Sequence, residues 1–174
     1  FNAIKAGLED IAPRVGCEDV SALLEQTTKL TYGTTRATNA IVEKTTARTA
    51  FLTTEGFPDI LLLREGGKPD PFRQLPYPPP YVPRYLTWEI RERMDAEGTA
   101  FIPLDEDSVL RAIEGIREAG CEAVGVCLLW STVNPAHELR VGELLQEHLP
   151  DVPFTLSHQL NPIVREYRRA SSTV

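Results

Sequence analysis

A short turn of glycine and threonine is the first segment whose residue types suit ligand binding. It joins a strand predicted over residues 29–32 to a helix predicted over residues 37–44. Glycine lets the backbone approach a ligand, and hydroxyls beside the free N–H groups of a helix start suit a phosphate or a carboxylate. We expect this turn to lie at the carboxyl end of the strand and to face a cleft; the alternative is that Thr34 or Thr35 only caps the helix. The candidate phosphate-binding residues are Gly33, Thr34, Thr35, Thr38 and Asn39.

Histidines near predicted strand ends form a second group. His137 and Glu138 begin a helix that follows a predicted strand, and ligand groups usually lie at the carboxyl ends of parallel strands. Because neighbouring helix residues point about 100° apart, this pair does not chelate a metal by itself. His158 follows another strand, whereas His148 lies near a helix end, where it can complement the helix dipole. The alternative is that each histidine is structural or solvated.

Arginines supply the remaining candidates. The stretch from Arg165 to Arg169 is dense in charge, and is either a solvated helix face or an arginine cluster that faces a substrate anion or an adjoining domain. A second polar cluster, with Arg64, follows a short apolar run; its alternative is a solvated turn. We take Arg64, Arg165 and Glu166 as candidate binding residues. HExxH, GxSxG, Walker A and GxGxxG motifs are absent from the sequence, so it assigns no catalytic residue and no metal ligand.

Alternating helix and strand patterns indicate which elements position these residues. Residues 105–156 read as helix, strand, helix and strand, which predicts an α/β fold whose two strands are parallel neighbours. Cys127 lies in an apolar run that is typical of a strand covered on both faces, so we expect it to be buried. Residues 48–53 are rich in β-forming residues and predict a further strand.

The rest of the chain is less regular. Residues 1–13 read as an amphipathic helix, and the helix at residues 37–44 should turn Ala40 and Ile41 inward. An alternating pattern over residues 85–94, followed by a turn, predicts a hairpin. Seven prolines between residues 66 and 83 forbid a continuous helix there. That stretch is either a surface connection or a loop that covers a site.

The composition excludes several classes of protein. The chain has 174 residues, a formal net charge of −7 and a pI near 5.0, which argues against nucleic-acid binding. The sequence has no apolar run near the ~20 residues of a membrane span, so we expect no membrane partner. Three cysteines without a CxxC pair favour reduced thiols and a cytoplasmic protein. The first residue is not Met, and no terminating signal closes the chain, so we expect a piece of a longer protein.

Several motifs follow one another along nearly the whole chain, and their order is more specific than any one of them. They are Gly33-Thr34-Thr35-Arg36-Ala37-Thr38-Asn39-Ala40, Arg48-Thr49-Ala50, Thr54-Glu55-Gly56-Phe57-Pro58-Asp59, Pro69-Asp70-Pro71-Phe72, Val82-Pro83-Arg84, Glu92-Arg93-Met94-Asp95-Ala96-Glu97-Gly98, Leu129-Trp130-Ser131, Asn134-Pro135-Ala136-His137-Glu138, Arg165-Glu166-Tyr167 and Ser171-Ser172-Thr173-Val174. Taken together, these motifs resemble the N-terminal region of the hydantoinase A/oxoprolinase family.

This resemblance implies an actin-like ATPase or sugar-kinase-like lobe, α/β in class, with a mixed sheet and flanking helices. It implies an ATP-dependent hydrolase that opens the ring of a cyclic amide such as hydantoin or 5-oxoproline. Phosphorylation of an oxygen would create a leaving group or an electrophile, and Mg²⁺ would offset the phosphate charge. The implied partners are a B-type hydantoinase subunit, or a fused B-type domain, and a small amide or ketone substrate. Two alternatives stay open: an ATP-dependent ketone carboxylase subunit of the acetone or acetophenone type, and a non-catalytic subunit-interaction domain.

The resemblance also divides the chain. It implies an N-terminal-type domain over residues 1–160, made of a lobe at 1–65, a proline-rich connection at 66–83 and an α/β lobe at 84–160. Residues 161–174 would begin the connection into a second domain, and we expect this segment to be exposed or poorly packed. The family's glycine-rich phosphate loop is absent from this sequence, so we do not expect the chain alone to bind and cleave ATP.

Overall fold

The computed structural model describes residues 2–65 and 79–174. They form two compact units, the first ending at Thr45 and the second beginning at Thr46. The described part of the first unit is helical, with α1 at Asn2–Arg14, α2 at Val20–Gln26 and α3 at Arg36–Glu43. Asp19 caps α2, because its carboxylate accepts a hydrogen bond from the Ala22 N–H at 2.8 Å. The helix predicted at the start of the chain is confirmed.

The second unit is built on a four-stranded parallel sheet with the strand order β2-β1-β5-β6. A separate pair, β3 and β4, is antiparallel. The strands are β1 at Thr49–Thr54, β2 at Thr87–Ile90, β3 at Arg93–Met94, β4 at Ala100–Ile102, β5 at Ala123–Cys127 and β6 at Phe154–Leu156. The helices are α4 at Ile60–Leu63, α5 at Glu106–Glu118, α6 at Ala136–His148, α7 at Ser157–Leu160 and α8 at Glu166–Thr173, and a short 3-10 turn at Arg84–Leu86 precedes β2.

The predicted helix–strand–helix–strand unit is confirmed. α5, β5, α6 and β6 follow one another, and β5 pairs in parallel with β6. Gly120, with a φ of +62°, follows the end of α5. The α/β class with flanking helices is confirmed as well. In the described ranges, antiparallel pairing is confined to β3 and β4.

Helices cover both faces of the sheet. Leu52 of β1 lies beside Trp88 and Val126 in the register, on the face covered by α5 and α6. Phe51 and Gly125 share the opposite face, where α8 packs on β5. A Cβ atom added to Gly125 would lie 3.2 Å from the backbone oxygen of Thr173, so glycine permits this close approach.

Cys127, at the end of β5, is buried, as predicted. Burial raises the pKa of its thiol to about 11. A neutral thiol is the form favoured by a site with little access to water. This agrees with a strand covered on both faces.

Four expectations need correction. Residues 29–32 form no strand: Leu30 and Tyr32 are exposed, and a strand needs a paired neighbour. Ile41 is 56% exposed rather than turned inward, although Ala40 is half-buried. Residues 85–94 are not one continuous hairpin strand, since β2 joins β1 in parallel and only β3 pairs with β4. The segment from residue 165 onward is helical and partly buried, for reasons given below.

The proline-rich stretch falls largely on residues 66–78, outside the described residues. The domain bounds given above therefore stay a prediction. Within the described ranges, no helix is both long and apolar enough to cross a membrane.

Gly115 of α5 tests how tightly the helix packs on the sheet. A Cβ atom at this position would lie 2.5 Å from Nε1 of Trp88, whereas one at Gly7 of α1 would meet nothing within 4 Å. Alanine normally stabilises a helix interior by ~1 kcal/mol relative to glycine. We therefore expect Gly7→Ala to stabilise the chain, and Gly115→Ala to destabilise it by about 1–2 kcal/mol, because overpacking outweighs the helix preference. Urea unfolding of both variants measures this, and stabilisation by Gly115→Ala would contradict the packing described.

Candidate functional site

Parallel pairing places the carboxyl ends of β1, β2, β5 and β6 at one edge of the sheet. The chain leaves this edge at Thr54, Ile90, Cys127 and Leu156. In open α/β sheets, ligands bind at this edge. Both a cavity and a network of buried polar side chains lie here.

The cavity has a volume of about 680 Å³. Its walls come from the segment between β1 and α4, from Arg93 of β3, from Leu129 and Trp130 after β5, and from the start of α8. Apolar side chains supply much of the wall: Phe57, Pro58, Ile60, Leu63, Leu129, Trp130 and Tyr167. A cavity of this size, with both apolar and charged side chains in its wall, suits a small organic molecule.

Two residues in the cavity wall adopt backbone conformations that are unusual for side chains other than glycine. Arg64 has φ 58° and ψ −139°, and Trp130 has φ 56°. Such conformations cost of order 1–3 kcal/mol each and tend to persist at functional sites. Both are held by neighbouring hydrogen bonds: the Arg64 N–H donates to Ile60 O, and the Val133 N–H donates to Trp130 O at 2.9 Å.

An ion pair ties α4 to α8 beside the cavity. Arg168 donates two hydrogen bonds to the carboxylate of Glu65, at 2.5 and 3.1 Å. Arg165 lies 4.0 Å from the same carboxylate. The hydrogen bond from Arg168 holds the pKa of Glu65 below its usual value. Because this pair is largely exposed, it adds little to the free energy of unfolding.

His137 takes part in a hydrogen-bonded chain next to the cavity. The Leu129 N–H donates to the Thr54 hydroxyl at 3.0 Å, and that hydroxyl donates to the carboxylate of Glu92. The other oxygen of Glu92 lies 2.7 Å from Nδ1 of His137. Glu92 is buried, so its carboxylate fixes the ring orientation of His137. The chain links the ends of β1 and β5 to the start of α6.

Glu138 is fully buried and is the centre of a second network. Its Oε1 atom accepts hydrogen bonds from the Leu128 N–H at 2.8 Å and from the Ser157 hydroxyl at 2.5 Å. Its Oε2 atom accepts one from the His158 N–H at 3.1 Å and lies 2.6 Å from Nδ1 of His158. These contacts tie α6 to the ends of β5 and β6.

Arg169 of α8 is also fully buried and shares Ser157 with Glu138. Its Nε donates to the Ser157 hydroxyl at 3.0 Å, and its Nη2 donates to Leu128 O at 2.8 Å. Its Nη1 donates to Ile163 O at 2.8 Å. These donors satisfy the guanidinium inside the protein, which corrects the expectation that the segment from residue 165 is exposed or poorly packed. We call Glu138, Ser157 and Arg169 the Glu138–Arg169 network.

The structure brings together only some of the predicted site residues. Arg64, Arg165 and Glu166 line the cavity. His137 and Glu138 lie in the two hydrogen-bonded networks and not among the cavity-lining residues. His137 contacts the carboxylate of Glu92, whereas Glu138 contacts His158. In the described ranges, no three His, Cys, Asp or Glu side chains are placed to hold a metal ion.

The glycine–threonine turn belongs to the first unit. Its residues are exposed, and the Arg36 N–H donates to the Thr34 hydroxyl at 3.1 Å. Thr35 occupies the N-cap position of α3 without a side-chain hydrogen bond. The expectation that the turn ends a strand is wrong, since residues 29–32 form none. Phosphate binding by Gly33, Thr34, Thr35, Thr38 and Asn39 stays a prediction.

Sequence reasoning missed Glu92, Arg93 and Arg169 as site residues. The alternation that places Trp88 and Ile90 on one face continues to Glu92, so the pattern could have shown that this carboxylate points inward. For Arg169, the neighbouring small residue Ala170 is a weak sign of a buried helix face. Its hydrogen-bond partners lie up to 41 residues away in the sequence, at Leu128, and no local pattern shows them.

Glu138 offers a direct test of the Glu138–Arg169 network. Glu138→Gln places an amide N–H₂ among groups that donate to the carboxylate. We expect it to destabilise the chain by about 2–4 kcal/mol, since buried donors lose a charged partner. Glu147→Gln, at an exposed position of the same helix, should change stability by no more than ~0.5 kcal/mol. Equal urea midpoints for the two variants would refute the importance of Glu138.

Comparison with known proteins places the chain in a family. A family model described as "Hydantoinase/oxoprolinase N-terminal region" matches residues 1–149. The chain is 38% identical over 175 residues to the caprolactamase subunit alpha of Pseudomonas jessenii, covering 99% of this chain and 25% of that protein. It is 33% identical over 188 residues to the acetophenone carboxylase gamma subunit of Aromatoleum aromaticum, covering 100% of this chain and 25% of that protein.

Solved structures agree with this placement. The crystal structure of the ATP-dependent caprolactamase from Pseudomonas jessenii matches with a TM-score of 0.85 at 38% identity, over 98% of this chain and 25% of that chain. The nucleotide-free structure of acetone carboxylase matches with a TM-score of 0.65 at 28% identity, over 78% of this chain and 21% of that chain. The chain thus spans about a quarter of the length of these two curated relatives. With the family model covering most of its length, the chain belongs to the hydantoinase/oxoprolinase family, as part of the family's N-terminal region.

Proposed function

We propose that this chain is part of a larger ATP-dependent enzyme that opens the ring of a cyclic amide by hydrolysis of a C–N bond. The observation that carries the proposal is the 38% identity to the caprolactamase subunit alpha over 99% of the chain. Caprolactam is itself a cyclic amide. The cavity supports the same conclusion, because its wall offers both apolar side chains and hydrogen-bonding groups to a small ring that carries one amide.

The described residues include no three-residue cluster of metal ligands, and the sequence has no glycine-rich phosphate loop. Because this chain spans about a quarter of its relatives, we assign ATP and Mg²⁺ binding to the larger protein. We further propose that a B-type subunit, or a fused B-type domain, completes the enzyme.

A ketone carboxylase is the second candidate function. The 33% identity to the acetophenone carboxylase gamma subunit, over 100% of the chain, favours it. A ketone also presents a carbonyl oxygen next to an apolar body, so the cavity suits either class of substrate. The two reactions differ in their second reactant, since hydrolysis consumes water and carboxylation consumes bicarbonate.

Substrate-dependent ATP hydrolysis distinguishes these functions. The assay uses the full-length protein with its B-type partner, and offers caprolactam, hydantoin and 5-oxoproline in parallel with acetone and acetophenone. We expect a cyclic amide to stimulate ATP hydrolysis without added bicarbonate and to yield the ring-opened amino acid. Omitting the partner subunit is the control, and should abolish product formation.

Two results would contradict the proposal. Stimulation only by a ketone together with bicarbonate would establish the carboxylase instead. A complex that assembles fully but responds to neither class of substrate would favour a non-catalytic interaction domain.

A further inference from the structure

Arg93 lies in the cavity wall and has no role in the function proposed above. It lies in β3, and its guanidinium carbon is 4.9 Å from the centre of the Phe57 ring, which also lines the cavity. A guanidinium over an aromatic face is attracted to the ring. Phe57 therefore helps to keep the Arg93 guanidinium at the cavity surface.

The N–H groups of the Arg93 guanidinium have no acceptor among the described residues. Among the described residues, its side chain makes no hydrogen bond and has no carboxylate within 4.0 Å, although Arg93 is half-buried. The other arginines differ from Arg93 in their contacts or their burial. Arg168 binds Glu65, Arg84 binds Glu89 at 2.9 Å, and Arg64 is exposed. Because guanidinium has five N–H donors, a half-buried one without a protein acceptor is well placed to bind an oxygen atom of a ligand.

The charge of the cavity wall selects among ligands. Three arginines and three carboxylates line it, so its formal charge is zero: Arg64, Arg93, Arg165, Asp59, Glu65 and Glu166. A triphosphate carries several negative charges and would approach three carboxylates at once. A neutral molecule with one strong acceptor meets no such repulsion, and its apolar part finds Leu129, Trp130 and Tyr167.

We infer that this cavity is the binding site for the organic substrate, and that Arg93 donates a hydrogen bond to the carbonyl oxygen of a cyclic amide. The inference rests on the proposed function and adds to it the place where the ring is bound. Arg93 fixes the carbonyl end of the ring, and the apolar wall contacts its methylene groups. Phe57 acts as a positioning residue, since it contacts Arg93 and holds its guanidinium over the ring face.

The test uses steady-state kinetics of the full-length enzyme with its B-type partner, with caprolactam and ATP varied separately. Arg93→Gln should raise the KM for caprolactam by about 10- to 100-fold, the value of a hydrogen bond to a charged donor. The KM for ATP should stay within roughly twofold. Arg111→Gln is the matched control, because Arg111 is exposed on α5 and outside the cavity, and it should change neither constant.

Direct binding supplies a second readout. Calorimetric titration of the nucleotide-free complex with caprolactam should show weaker binding for Arg93→Gln and unchanged binding for Arg111→Gln. Thermal unfolding checks that each variant is folded. If Arg93→Gln does not fold, Arg93→Lys decides the question: lysine keeps the charge but not the planar set of donors, so it should raise the same KM by a smaller factor.

Three outcomes would overturn the inference. An unchanged caprolactam KM in a folded, active Arg93→Gln enzyme refutes the substrate site and leaves the proposed function intact. A raised KM for ATP with an unchanged caprolactam KM shows that Arg93 serves the nucleotide phosphates instead. An unaltered complex that no cyclic amide stimulates removes the proposed function, and this inference with it.

Discussion

The edge of the sheet where the strands end depends on two buried charges being satisfied at once. Glu138 and Arg169 are both fully buried, and unpaired charges in a protein interior are costly. The two side chains do not form a salt bridge with each other. Instead Ser157 donates to Glu138 and accepts from Arg169, and the backbone of Leu128 offers its N–H to one and its carbonyl to the other. Removing either charged side chain would leave buried hydrogen-bond donors or acceptors of its neighbours without a partner.

This arrangement explains the position of the cavity wall. Arg169 fixes α8 to the end of β5, and the preceding residues, Arg165 to Tyr167, form one side of the cavity. Gly125 allows the end of α8 to lie directly against the middle of β5. The exposed pair of Glu65 and Arg168 joins α4 to the same helix. Interior hydrogen bonds therefore set the geometry of the cavity wall, while exposed ion pairs only refine it.

Local sequence patterns predicted the helices and strands that are determined by residues close together in the sequence. The helical spacing and end signals over residues 105–156 were enough to predict α5, β5, α6 and β6 and their parallel pairing. Residues 29–32 carry the residue types of a strand, but strand formation depends on a partner that the sequence does not show. The charge-rich start of α8 is typical of a solvated helix, because the sequence does not show the buried partners of its arginines either. Of two adjacent arginines, Arg168 faces solvent and Arg169 is buried, and only acceptors distant in the sequence distinguish them.

Amide hydrogen exchange along α8 tests most directly whether Arg169 holds this helix in place. Arg169→Met keeps an unbranched, flexible side chain but removes every hydrogen-bond donor, and Arg168→Met at the neighbouring, exposed position is the control. We expect Arg169→Met to speed hydrogen exchange at the backbone amides of positions 169 and 174 by at least roughly tenfold. Both amides donate hydrogen bonds to carbonyl groups four residues earlier in the chain. The β5 amides should stay protected. Arg168→Met should leave these rates nearly unchanged. Equal protection of α8 in both variants would contradict the account, because the helix would then be held without the Glu138–Arg169 network.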